Sequence, residues 1–100
     1  MRRLSTPTHT FTLDIDMMIV KTIRIVYAQD DSVILVKRGE DVLIDGNTVS
    51  VRLTQEETRL FSASSTVSIQ LDILTTDGDV LHSDIIKTLV QDVLLDEVVE

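Results

Sequence analysis

DVLIDGNTVSVRLTQEETRLF, residues 41–61, joins a strand signal to a helix signal with almost nothing between them. At its start, a pair of apolar runs flanks Asp45-Gly46, and Asp-Gly readily takes the positive φ angles of a type I′ hairpin turn. Val49, Val51 and Leu53 then alternate with Ser50 and Arg52, so the pleat turns the three apolar side chains to one face. At Thr54 the alternation stops. Thr54 followed three positions later by Glu57 is a capping box, in which each side chain satisfies the other residue's free backbone N–H, worth on the order of 1 kcal/mol. A helical turn or two ending near Phe61 is predicted. Leu53 and Thr58 hold the positions of the hydrophobic staple, which is therefore incomplete. Leu60 and Phe61 are expected to tuck the turn against the open end of a sheet, and the "SASS" at 62–65 releases the chain into its next strand. A two-residue turn joins only neighbours within a sheet, so a capped turn between strands reads as a crossover from one sheet to another.

Working outward, "THTFTLDIDM" places Phe11, Leu13, Ile15 and Met17 on one face and predicts a strand over residues 9–16. "VKTIRIVYAQ" does the same with Ile23, Ile25 and Tyr27, and "QDDS" at 29–32 is a polar turn before the strand in "VILVKRG". Beyond the crossover, Val67, Ile69, Leu71 and Ile73 alternate with Ser68, Gln70 and Asp72 until Asp77-Gly78 turns the chain back, and "DIIKTLV" supplies the last strand. About seven short strands with regularly spaced turn signals predict an all-β, antiparallel, immunoglobulin-like sandwich. The expected layout is a flexible basic arm at 1–8, a sandwich domain at 9–91 and an acidic tail at 92–100.

Composition narrows the function. Hydrophobic residues make up 43%, mostly Val, Ile and Leu with three aromatic rings, which suits pleated sheets. One hundred residues make one domain with little room for a deep cleft. There is no cysteine, which excludes disulfides and thiolate metal sites. Nine basic against seventeen acidic residues give a net charge of −8, which repels phosphate backbones, and no apolar run is long enough to cross a bilayer as a helix. Neither nucleic acid nor membrane is an expected partner, and no cofactor is expected.

Few residues suggest chemistry. His82 and Asp84 stand two apart in a strand, the spacing at which a carboxylate orients an imidazole, but Ser83 between them projects to the opposite face and no glycine-rich elbow is present. The expectation is that the chain is not an enzyme. Asp77, Asp79, His82 and Asp84 form an oxygen-rich turn, yet Thr88 stands where a calcium loop carries its bidentate Glu, so no metal site is assigned. Tyr27 reads as a residue at the rim of the core, without a ligand. The ends are more informative. Arg2 and Arg3 make the start basic, whereas residues 92–100 carry Asp92, Asp96, Glu97 and Glu100 with no base, together with Val93, Leu94, Leu95, Val98 and Val99. Apolar residues on a tail call for a partner. Arg2, Arg3, Asp92, Leu94, Leu95, Asp96 and Glu97 are the candidate interaction residues, while Asp45, Gly46, Thr54, Glu57, Phe61, Asp77 and Gly78 are structural.

"MRRLSTPTHTFTLDID", "LTQEETRLF" and "VSIQLDILTTDGDVLHSDI", in that order and spacing, resemble a family of small structural proteins of tailed bacteriophages and prophages, and more distantly the immunoglobulin-like N-terminal modules of phage baseplate proteins. The crossover also resembles the helical turn between strands E and F of immunoglobulin domains, although the tyrosine corner, paired cysteines and buried tryptophan of those domains are missing here. The resemblance implies a virion component of the head-tail or tail and baseplate region, made in the bacterial cytoplasm and carried in the particle. Its implied partners are further copies of itself, other phage structural proteins, or both. The alternative from the residues is a monomeric module whose end loops, including "QDDS" and "TTDGD", recognise a carbohydrate or a cation.

Overall fold

The computed structural model describes residues 1–13, 19–95 and 97–99. Their strands are β1 (Thr8–Thr12), β2 (Val20–Gln29), β3 (Ser32–Arg38), β4 (Val42–Asp45), β5 (Thr48–Arg52), β6 (Thr66–Thr75), β7 (Val80–His82) and β8 (Ile86–Leu89), with a short α-helix, α1 (Gln55–Arg59), and a 3-10 turn at Gly39–Asp41. Two antiparallel sheets result. One has the order β1-β5-β4, the other β3-β2-β6-β7, with β8 also on β6. Hairpins keep β2 with β3 and β4 with β5, while the chain changes sheet after β1, β3 and β5. This is the neighbour order B-E-D and C′-C-F-G of an immunoglobulin-type sandwich, with α1 between E and F.

Alternation builds the core. Ile23, Ile25 and Tyr27 from β2, Val49 and Val51 from β5 with the adjoining Leu53, and Val67, Ile69, Leu71 and Ile73 from β6 are all buried, and Phe61 closes the end beside α1. Tyr27 is fully buried, not at the rim: its hydroxyl lies 2.7 Å from His9 Nδ1 on β1, which satisfies the polar end of the ring inside the sandwich. Leu60, unlike Phe61, is exposed, because a single helical turn offers only one face to the sheets. The first strand is shorter than its sequence pattern, running only over Thr8–Thr12, and the Ile15 and Met17 of that pattern lie outside the described residues.

Both glycine hairpins form, with turns other than expected. Asp45 pairs with Thr48, so the two central residues are Gly46 and Asn47, and only Gly46 has a positive φ (60°), the pattern of a type II′ turn. After β6, Thr75 accepts from the Gly78 N–H and donates to the Asp79 carbonyl, which leaves a three-residue loop with Gly78 left-handed at φ 89°. The type I′ pattern instead belongs to "QDDS", where Asp30 and Asp31 have φ of 50° and 63° between paired Gln29 and Ser32.

The last strand is broken in two, which raises the count from seven to eight. Asp72 pairs with His82 on β7 and Ile69 with Ile86 on β8, so two residues of β6 face three on the other side. Ser83 N–H donates to the Leu71 carbonyl and its hydroxyl accepts from the Leu71 N–H, leaving Gln70 opposite both Asp84 and Ile85. This is a β-bulge. It moves the core-facing positions from odd numbers (Leu81, Ser83) to even ones (Ile86, Thr88), ending at the fully buried Val90.

The crossover through α1 is a capping box as read: Thr54 Oγ1 accepts from Glu57 N, and Glu57 Oε1 accepts from Thr54 N. Glu57 has a second partner absent from the sequence reading. Lys37, turned inward from β3 and buried, donates to both Glu57 oxygens at 2.8 and 2.9 Å and ties the edge of one sheet to the crossover. Burial alone pushes the Glu57 carboxyl up, but the hydrogen bonds from Lys37 and Thr54 outweigh it and hold the group below the usual carboxylate range.

Candidate interaction surface

The first residues are not a free arm. Arg3 N–H donates to the Gln91 carbonyl, Gln91 N–H donates to the Met1 carbonyl, and Arg2 bridges Gln91 in parallel register, so residues 1–3 extend the end of the last strand. The guanidinium groups fasten this strap. Arg3 donates to the carbonyls of Phe61 and Arg59 and pairs with Asp92 at 2.9 Å, while Arg2 donates to the Asp92 carbonyl and the Gln91 side chain. A hydrogen bond from Val93 N–H, followed by that from Arg3, lowers the pKa of Asp92. Thr58, buried under the strap, donates to the Ser5 carbonyl and accepts from the Ser5 N–H. Arg2, Arg3 and Asp92 therefore meet within one chain.

Leu94 and Leu95 do not join them and stand in solvent, Leu94 completely. Asp96 lies outside the described residues, and Glu97 is exposed. The tail turns back at Val99, whose N–H and carbonyl bond to the Gln55 side chain at 2.8 and 3.0 Å. The exposed apolar side chains are unevenly placed. Eight of the thirteen large ones among the described residues lie at or after Val80, including Leu81, Ile86 and Leu89 on the outer strand of the five-stranded sheet. For Leu81 and Ile86, paired with the core residues Ile73 and Ile69, the cause is topological: the opposing sheet has only three strands, β1, β5 and β4, too few to cover that flank, whereas Val80 and Leu89 face outward.

The outer face of the five-stranded sheet carries a row of charge that the sequence reading missed. Cross-strand register aligns Arg38, Arg24, Asp72 and His82 on β3, β2, β6 and β7. Asp72 accepts from Arg24 Nε at 2.7 Å and lies 2.5 Å from His82 Nδ1. Burial pushes the Asp72 carboxyl up, but these two hydrogen bonds prevail and lower its pKa. His82 thus finds its carboxylate across the strands at Asp72 and not along the strand at Asp84, a pairing that only the register discloses. Beside this row β3 leaves the sheet after Arg38, turning at Gly39 with φ 62°, and a groove of about 640 Å³ opens there. Lys21, Arg24 and Arg38 line it together with Ile44, Leu74 and Val80.

The other candidate groups are accounted for locally. The Ser83 hydroxyl is committed to Leu71 N–H and the Asp84 carbonyl. Asp77, Asp79, His82 and Asp84 do not converge: among the described residues no three acidic or histidine side chains are grouped as metal ligands. None of the described helices is long and apolar enough to cross a membrane. No family model, curated protein or solved structure matches this chain.

Proposed function

We propose that this chain is a non-catalytic structural or adaptor module of a phage or prophage particle, in the head-tail or tail and baseplate region. On this reading it joins its neighbours through the outer edge of its last strand and through its C-terminal tail. The observation that carries the assembly role is the concentration of exposed apolar side chains on β7, β8 and the tail. An edge strand already offers unpaired backbone groups every second residue, and apolar side chains beside them favour burial against another protein. The placement in a particle is supported by the resemblance of the three segments at 1–16, 53–61 and 67–85 to phage structural proteins. A non-catalytic role is supported by the Ser83 hydroxyl, which is committed to the bulge through Leu71 N–H and the Asp84 carbonyl.

The test is to purify particles on a density gradient from a host that produces this chain and to quantify it by mass spectrometry. A fixed ratio to the major structural proteins supports the reading. Recovery of the chain only outside the particle fractions overturns it.

A further inference from the structure

Arg2 and Arg3 are neighbours in the sequence and Arg24 and Arg38 are neighbours only in the sheet, and the fold uses the two pairs differently. Arg2 and Arg3 are consumed by the strap, whereas Arg24 is bonded to Asp72 only through Nε, and no side-chain hydrogen bond or ion pair of Arg38 occurs among the described residues. Arg24 and Arg38 are direct cross-strand partners on one face, an arrangement of like charges that destabilises a sheet unless something negative lies over it. Lys21 adds a third cation to the groove against the single carboxylate of Asp72, which also lines it, and Ile44 and Val80 bring exposed apolar surface to its walls. Past Arg38, residues 20–23 of β2 have no strand pairing their outer side among the described residues, so an extended segment finds an open backbone edge there as well. The site asks for a segment both acidic and aliphatic.

The chain carries such a segment in residues 92–100, with four carboxylates, no base and Leu94 and Leu95 bare. We propose that this tail of one copy docks in the groove lined by Lys21, Arg24 and Arg38 of a second copy. The proposal rests on the assembly reading above and names its contact. Reach disfavours the same contact within one chain, because only the last residues of a fully extended tail arrive at the groove. The tail starts beside Ser65, which accepts from Val90 N–H, while the groove lies at Asp72 and Leu74, about 23 to 30 Å farther along β6 at roughly 3.3 Å per residue. Nine extended residues span at most about 30 Å, so nearly the whole tail is used before it arrives. In trans Asp92 stays in the strap, Asp96, Glu97 and Glu100 supply the charge, and the bonds displaced among the described residues beyond Val93 are the two between Val99 and Gln55. Groove and tail lie at opposite ends of the sandwich, so two antiparallel copies exchange tails as a closed pair, or successive copies pass them on head to tail into a ring or a filament.

Light scattering on the full chain at low and moderate salt tests this, with Arg38→Glu and the tail variant Asp96→Lys/Glu97→Lys beside it. The expected result is a salt-sensitive oligomer for the native chain and the mass of one chain for each variant. Mixing the two variants restores a complex, since the first keeps the native tail and the second the native groove. Unchanged thermal midpoints show that the variants are folded, and Leu94→Ser/Leu95→Ser repeats the test without altering charge. A native chain that stays monomeric at low salt, or variants that associate as the native chain does, overturns the proposal. A monomer that is nonetheless present in particles at fixed ratio overturns this contact and leaves the assembly reading standing; an oligomer absent from particles does the reverse.

Discussion

His9 and Lys37 show how single polar side chains are kept inside a small aliphatic sandwich. His9 is held neutral by burial, its pKa lowered from 6.5, beside a Tyr27 hydroxyl whose own pKa burial raises. A histidine that binds protons less well folded than unfolded contributes stability that is complete above pH 6.5 and declines as pH falls through the folded value. The denaturation midpoint is therefore expected to begin falling just below pH 6.5, and His9→Gln should flatten that limb. Glu57 and Asp72, also lowered, act further down: their contribution is intact above the ordinary carboxylate range and is lost as pH falls below it. Glu57→Ala leaves a buried ammonium unpaired and halves the capping box, and is expected to cost about 3 kcal/mol in chemical denaturation. Lys37→Met keeps the apolar stem and leaves Glu57 capping Thr54, so a loss of about 1 kcal/mol or less is expected. Equal losses would show that the pair has no asymmetry of burial.

Turns and breaks separate what the sequence discloses from what it conceals. The strands of the core were legible because burial selects every second residue, which Val49 to Leu53 and Val67 to Ile73 record directly. The capped crossover was legible for a similar reason, since Thr54 and Glu57 satisfy each other within four residues. Thr54→Ala should lower stability by about 1 kcal/mol, read from the denaturation midpoint. Turn type was not legible at Asp45-Gly46, because the pairing of Asp45 with Thr48 sets which residues are central and that register is fixed by the whole sheet. Asp30 and Asp31 take a type I′ pattern without glycine, at a steric cost in the left-handed region. Asp31→Gly should therefore raise stability by about 1 kcal/mol. The break in the last strand has no Gly or Pro to mark it. It depends on the Ser83 hydroxyl standing in for a backbone acceptor, and the row from Arg38 to His82 depends on register across four strands. Neither leaves a periodicity.

At the scale of the molecule, an uneven pair of sheets leaves one flank of the last strand uncovered, and the first residues cover only its end. The strap was invisible in the sequence because guanidinium groups bonded to main-chain carbonyls need no apolar pattern, and "MRRLSTP" reads equally well as a loose arm. Its geometry has a kinetic meaning. The bond from Arg3 to Gln91 closes a loop of almost the entire chain, and so distant a contact forms after the local hairpins. Arg3→Ala is accordingly expected to accelerate unfolding while leaving the refolding rate nearly unchanged, measured by stopped-flow in denaturant. A refolding rate that fell in step with stability would instead put the strap in the folding nucleus. If the strap is the last segment to dock, it is also the first to lift. Each brief opening then bares Val90 and the α1 end of the core, so the lifetime of the native state, more than its equilibrium stability, is set by three residues at the start of the chain.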